Sequence, residues 1–141
     1  MNLPEEINRL IETFDFLDEW NERYRHLLDL AKQLPPMPDE LKVESNLVQG
    51  CLSQVWLVVE ADPHNPEVLQ ILADSDAHIV RGLVAIVLML YSGKTSSEIA
   101  SLDAKEVFAK LGLDQHLSVG RRNGLESMVR RIESAAATRA G

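Results

Sequence analysis

The segment "DSDAHIVRGLVAIVLMLYSG", residues 74–93, constrains the fold more than any other. Beyond Arg81 it is apolar on every face, and a helix of that kind has to be covered from all sides. Its longest apolar run, "GLVAIVLMLY" at 82–91, falls short of the roughly 20 residues that span a bilayer. The helix therefore belongs inside a protein core, with Gly93 as its natural stop. A chain of 141 residues can build such a core, and the reading is a single domain over 1–141. An apolar share of 45% against 26% charged residues fits a water-soluble globular protein.

The flanking pattern says what covers the helix. Ile7, Leu10, Ile11, Phe14 and Leu17 follow helical spacing after Pro4. Trp20, Tyr24, Leu27, Leu28, Ala31 and Leu34 do the same from Asp18 as a candidate cap, and this second helix ends at Pro35-Pro36. "PPMPDELKVES" reads as a loop. "QVWLVVE" and "PEVLQILAD" are rich in strand-forming residues and read as a hairpin, with Pro63, His64, Asn65 and Pro66 at the turn. A shorter strand is expected at "SNLV". Thr95 with Glu98 and Asp103 with Glu106 read as two capping boxes opening short helices. Leu125, Met128, Val129, Ile132 and Ala136 mark a last amphipathic helix. The fold class is α+β: a small antiparallel sheet of about three strands packed against helices.

Charge and cysteine content narrow the function. The net charge of −8 disfavours nucleic acid, whose phosphates call for Lys and Arg. The exception is 121–141, where five arginines face Glu126 and Glu133; this reads as a solvated basic helix. The N-terminus lacks a basic stretch followed by an apolar one, so no signal peptide is expected. A single cysteine, Cys51, excludes an internal disulfide and points to a reducing compartment, hence to the cytoplasm.

One thiol is also too few for a structural zinc or a cluster site, and no phosphate-loop or dinucleotide fingerprint is present. None of His26, His64, His78 and His116 stands in a recognisable signature with Cys51, which ranks a cysteine hydrolase last. Cys51 lies between expected strands, after Gly50, which permits a sharp turn. Two readings remain open on the residues: a packed core thiol, or a displayed nucleophile that carries cargo on its sulfur.

Three stretches then carry a resemblance. "LVQGCLSQVWLV" resembles the cysteine loop of the SufE family of sulfur-acceptor proteins, with its Gly-Cys-x-Ser-x-Val-Trp pattern. "DSDAHIVRGLVAIV" and "LSVGRRNGLESMV" are similar to the second and third hallmarks, in the same order, and the likeness runs from about Pro4 to Ala137. The resemblance implies the fold shared with the U-type cluster scaffolds. It implies that Cys51 takes sulfur from the persulfide of a pyridoxal-phosphate-dependent cysteine desulfurase, stimulates that enzyme, and delivers sulfur to an iron–sulfur cluster scaffold. The acceptor itself is expected to hold no cofactor and no metal, and to act as a monomer or homodimer, away from nucleic acid and membrane.

It further implies that Gly50, Ser53 and Gln54 shape the loop and that Asp74, Ser75 and Asp76 engage the desulfurase at the start of the buried helix. By the same likeness, Arg121 lies near Cys51, where its charge favours the thiolate. Helix capping is the simpler role for the acidic triplet. Leu52 and Trp56 are candidates to line a shelter for the thiol. Two departures stand out: Ala73 replaces a usual glycine, and Val119-Gly120 replaces a common Pro-Ser, removing a helix-start proline and a capping hydroxyl. The alternative function is a non-catalytic module that binds the desulfurase or scaffold, with Cys51 as packing.

Overall fold

A computed structural model describes residues 3–50 and 53–140. The apolar segment forms helix α3, His78–Tyr91, and all but Arg81, Leu88, Met89 and the exposed His78 are buried along it. Its cover comes from every direction. Helix α1 (Glu5–Phe16) lays Ile7, Leu10 and Phe14 into the core, and α2 (Trp20–Gln33) adds Leu27, Leu30 and Ala31. Strands β1 (Val55–Ala61) and β2 (Val68–Ser75) pack Val55, Leu57, Leu69 and Ile71 into the same core, and the long helix α7 (Val119–Ala140) supplies Leu125, Met128, Val129, Ile132 and Ala136.

The α2–α3 contact depends on a missing side chain. A Cβ on Gly82 would lie 2.3 Å from the carbonyl oxygen of Leu27, so the two helix backbones approach more closely than any other residue permits. Short helices α4 (Ser96–Ser101), α5 (Ala104–Lys110) and α6 (Leu113–His116) complete the shell.

The sheet has the order β1-β2-β3 and is antiparallel throughout, with Trp56 opposite Asp74 and Leu57 opposite Ala73. Asp62 organises the hairpin turn: its carboxylate accepts from the backbone N–H groups of His64 (2.7 Å) and Asn65 (3.3 Å) and from the Gln70 amide (2.7 Å). These bonds, the Gln70 one foremost, hold the carboxyl below its ordinary range.

The third strand is not the one expected at "SNLV". It is β3, Lys94–Thr95, paired with the start of β2. Gly93, at φ +78°, ends the turn after α3 and donates to the Leu69 carbonyl at 2.8 Å, which brings the chain into register with β2. In "SNLV", Glu44–Asn46 tightens into a 3-10 turn because the Asn46 side chain donates to the Leu41 carbonyl at 2.8 Å. Among the described residues one bridge, Leu47 to Trp56, forms there.

The caps also differ in detail. Glu19, not Asp18, stands at the N-cap of α2, and no side chain bonds there. Thr95 and Glu98 form the full reciprocal box. Asp103 accepts from the Glu106 N–H at 3.2 Å, and the Glu106 carboxylate lies 3.5 Å from Lys110 Nζ.

The core yields two stability predictions. Gly82→Ala forces α2 from α3 and is expected to lower stability by about 2 kcal/mol in urea unfolding. Tyr91 is fully buried and its hydroxyl has no hydrogen-bond partner among the described residues. Burial, with the Glu133 and Asp103 carboxylates nearby, pushes its phenol up, so the hydroxyl stays protonated. Tyr91→Phe removes that unsatisfied group and is expected to raise stability by about 1 kcal/mol in the same measurement.

Candidate functional site

The loop that carries the single cysteine grows out of a narrow neck. The Val48 N–H donates to the Val55 carbonyl at 2.8 Å, and residues 49–54 lie between them. Cys51 and Leu52 are outside the described residues; the loop is defined by what holds its two sides. On the N-terminal side Gly50 has φ +88°, in the left-handed region, and a Cβ there would lie 2.9 Å from the Ser127 hydroxyl of α7. Both the backbone angle and the close approach require glycine.

On the C-terminal side the backbone of Gln54 is held at both polar groups. Its N–H donates to Asp76 Oδ1 at 3.1 Å. Its carbonyl accepts from the Ser75 hydroxyl at 2.7 Å and from the Asp76 N–H at 3.3 Å. Ser75 Oγ in turn accepts from the Ala77 N–H at 3.2 Å.

The acidic triplet therefore acts on the loop from the end of β2, not from the cap of α3. Asp74 and Ser75 are strand residues, Ala77 is the N-cap of α3, and no side chain caps that helix. Ala73 likewise sits within β2, opposite Leu57 and away from the helix start. The three members differ in exposure: Asp74 and Ser75 are buried and Asp76 is exposed. Asp74, with a side chain 8% exposed, pairs with two cations, Arg81 Nε at 3.0 Å and Lys42 Nζ at 3.3 Å, and Oδ1 also accepts from the Ser75 N–H. Lys42 lies 5.6 Å from the centroid of the Trp56 ring. Asp74 thus ties the loop after α2 to β2 and α3. Removing it leaves two cations beside a buried strand end, which is costly.

Helix α7 runs along the opposite side of the loop. Gly120, Gly124, Ser127 and Arg131 succeed one another at spacings of four, three and four, which places them on one face. Gly120 and Gly124, with Arg121, Ser53, Val55, Val80, Leu83, Leu125 and Met128, line a cleft of about 20 Å³, room for one water-sized group. Arg121 and Ser53 are thereby brought together, and the Arg121 guanidinium is bonded to no other described residue. Trp56 follows Val55 on β1 and so points to the other face of the sheet; it does not join this cleft. A capping hydroxyl is supplied two residues before Gly120: Ser118 Oγ accepts from the Arg121 N–H at 3.3 Å.

Further along the same face, Arg131 Nη1 donates to the Leu47 carbonyl at 2.6 Å and Nη2 to the Ser45 carbonyl at 3.0 Å. This clamp was not expected from the sequence, where 121–141 reads as a solvated basic helix. The other four arginines are exposed, as a solvated helix requires, and two of them also reach carbonyls: Arg122 donates to Asp114 at 3.1 Å and Arg139 to Val59 at 3.0 Å. The signal available in sequence is the small-small-arginine spacing at 124, 127 and 131.

Two of the four histidine rings are engaged elsewhere. His26 meets Phe14 edge to face at 5.9 Å and His116 stacks on Trp20 at 4.5 Å. Among the described residues no three His, Cys, Asp or Glu side chains cluster as metal ligands do. No helix of the described chain is long and apolar enough to cross a membrane.

Comparison with known proteins agrees with this geometry. A solution structure of a hypothetical protein from Thermus thermophilus superposes with a TM-score of 0.77 over 99% of this chain and 98% of that one, at 17% identity, which establishes the shared fold. A SufE-like protein of Rhizobium etli is 54% identical over 136 residues, 95% of this chain and 91% of its own length. A SufE-like protein of Rhizobium meliloti is 54% identical over 132 residues, 92% and 94% of the two chains. The family model described as "SufE: Fe-S metabolism associated domain" matches residues 8–136. The chain therefore belongs to the SufE family, whose role is sulfur transfer in iron–sulfur metabolism.

Proposed function

We propose that Cys51 is the residue that carries the sulfur, accepting it from the persulfide of a cysteine desulfurase and handing it to an iron–sulfur cluster scaffold. The observation that supports this most directly is the loop itself: the only cysteine in the chain sits between two anchored positions, Gly50 against α7 and Gln54 against Asp76. A nucleophile on a short loop with fixed roots meets a partner's active site in a limited set of orientations.

In the transfer, the Cys51 thiolate attacks the terminal sulfur of the desulfurase persulfide. A new sulfur–sulfur bond forms on Cys51 as the enzyme's own breaks, and the enzyme cysteine leaves as thiolate. The exchange involves no net oxidation. The pyridoxal phosphate that generates the persulfide belongs to the desulfurase. Clearing that persulfide frees the enzyme for its next turnover, which is how the carrier stimulates it.

This chain's residues divide the supporting work. Gly50, Ser75 and Asp76 set the loop roots. The Arg121 guanidinium, bonded to no other described residue and lining a cleft with Ser53, provides positive charge toward a thiolate or persulfide anion. Asp76, the exposed member of its triplet, is the one able to meet the desulfurase directly, while Asp74 and Ser75 support the surface from beneath. With no second thiol in the chain, a loaded persulfide has no internal route of discharge.

Incubation with a desulfurase and free cysteine is expected to add one sulfur to the intact mass of the wild type and none to Cys51→Ser. Equal loading of both would overturn the assignment. Asp76→Ala, which releases the Gln54 N–H, is expected to load several-fold more slowly with a stability loss of no more than about 1.5 kcal/mol. Asp76→Asn keeps an oxygen acceptor at Oδ1 and is expected to restore most of the rate; loading by Asn as slow as by Ala would point to the charge rather than the bond.

A further inference from the structure

We propose that Arg131 is a positioning residue for the Cys51 loop: its guanidinium holds the carbonyls of Ser45 and Leu47 and so fixes the root from which the loop projects. The inference rests on the sulfur-carrier reading of Cys51 and adds a determinant of its rate.

The contact joins residues 84 and 86 positions apart in sequence, so it is a tertiary clamp and not a local cap. The two terminal nitrogens take two different carbonyls, a use of the planar fork that a lysine ammonium does not reproduce. Both carbonyls lie at the end of the 3-10 turn Glu44–Asn46, where backbone acceptors run out of helical partners. Otherwise the N-terminal root is held mainly by the Val48–Val55 bond, the Leu47–Trp56 bridge and the Asn46–Leu41 bond. The bond to Leu47 is partly buried, which shields it from competing water.

Arg131 is also placed to transmit the position of α7 to the loop. It lies one turn beyond Ser127, whose hydroxyl sits where a Gly50 side chain would be. Helix α7 is 22 residues long and buries Leu125, Met128, Ile132 and Ala136 in the core, so it is a rigid reference. The contacts follow opposite orders along the two segments: Arg131 holds residues 45 and 47, Ser127 abuts 50, and Gly120 and Gly124 share a cleft with 53. Sulfur exchange demands alignment of the attacking sulfur with the bond that breaks, and misplacement of an ångström lowers such rates strongly. Arg131 acts on the loop root, so its effect falls on the rate at saturating partner and not on partner affinity.

The test uses the full chain with Arg131→Ala, Arg131→Lys and Arg139→Ala. The last removes the same charge and one arginine–carbonyl bond from the same helix, at Val59 in place of the loop root. Sulfur loading is followed against desulfurase concentration, and amide hydrogen exchange is followed along the chain. The expected result for Arg131→Ala is a maximal loading rate lowered about tenfold, with the half-saturating concentration unchanged. Exchange is expected to quicken at Leu47 and Val48 and to stay as in the wild type in α3. Arg131→Lys, the variant that best preserves folding, is expected to fall between, and Arg139→Ala to load as the wild type does. Undiminished loading by both Arg131 variants, equal slowing by Arg139→Ala, or unchanged exchange at Leu47 and Val48 would each overturn the proposal. Should the wild type itself take up no sulfur, the carrier reading falls, and the exchange comparison still decides whether Arg131 fixes the root.

Discussion

The need to enclose α3 governs the architecture. A helix with apolar residues all around has no face to give to water, so the chain has to build a wall on each side of it. Gly82 sets how close the nearest wall can come, because the Leu27 carbonyl occupies the space a side chain would need. The sheet closes another side and α7 a third. With α3 fixed in this way, the end of β2 and the face of α7 are fixed relative to each other, and these are the two supports of the cysteine loop. The site inherits its rigidity from the core and adds little of its own.

The two supports work by different chemistry. At β2 the hold is a set of hydrogen bonds to one residue's backbone, from Ser75 and Asp76 to Gln54. Neither partner has to move far from its strand, since the β1–β2 register already places Val55 opposite Ser75. At α7 the hold is steric in its centre, where Gly50 lies close against Ser127, and electrostatic at its end, where Arg131 grips two carbonyls. The loop is therefore held at both of its roots by different kinds of contact.

Most of the frame was legible in the sequence because it follows from periodicity. The all-round apolar run, the two N-terminal amphipathic stretches, the β-rich hairpin and the five apolar positions of α7 each report a local pattern that burial confirms. Signals with two physical meanings misled. Asp-Ser-Asp before an apolar helix is a plausible cap, yet the same side chains bond equally well across from a strand end, and only the three-dimensional position of Gln54 decides between them. The third strand escaped notice because Lys94–Thr95 is two residues long and is specified by Gly93, which reads as a helix stop. Arg131 was harder to read for a stronger reason: its partners are carbonyls, which every residue has, so only the spacing on its own helix, and no residue type on the other side, marks the contact.

That last point bears on how charge is used in the molecule. The net charge is −8, and an acidic protein with a basic last helix suggests an attractive patch for an acidic partner. Most of those arginines are engaged otherwise. Arg122, Arg131 and Arg139 each donate to backbone carbonyls on other elements, and Arg130 bonds to Ser127 within α7. Arginine suits this because its fork satisfies acceptors without surrendering charge, and its stem packs along the helix on the way. Arg121 alone among them has a guanidinium bonded to no other described residue, and it stands beside the cleft that Ser53 shares. One residue type is thus used in different ways: Arg122, Arg131 and Arg139 fasten α7 to the segments beside it, Arg130 bonds along the helix itself, and the Arg121 guanidinium is bonded to no other described residue.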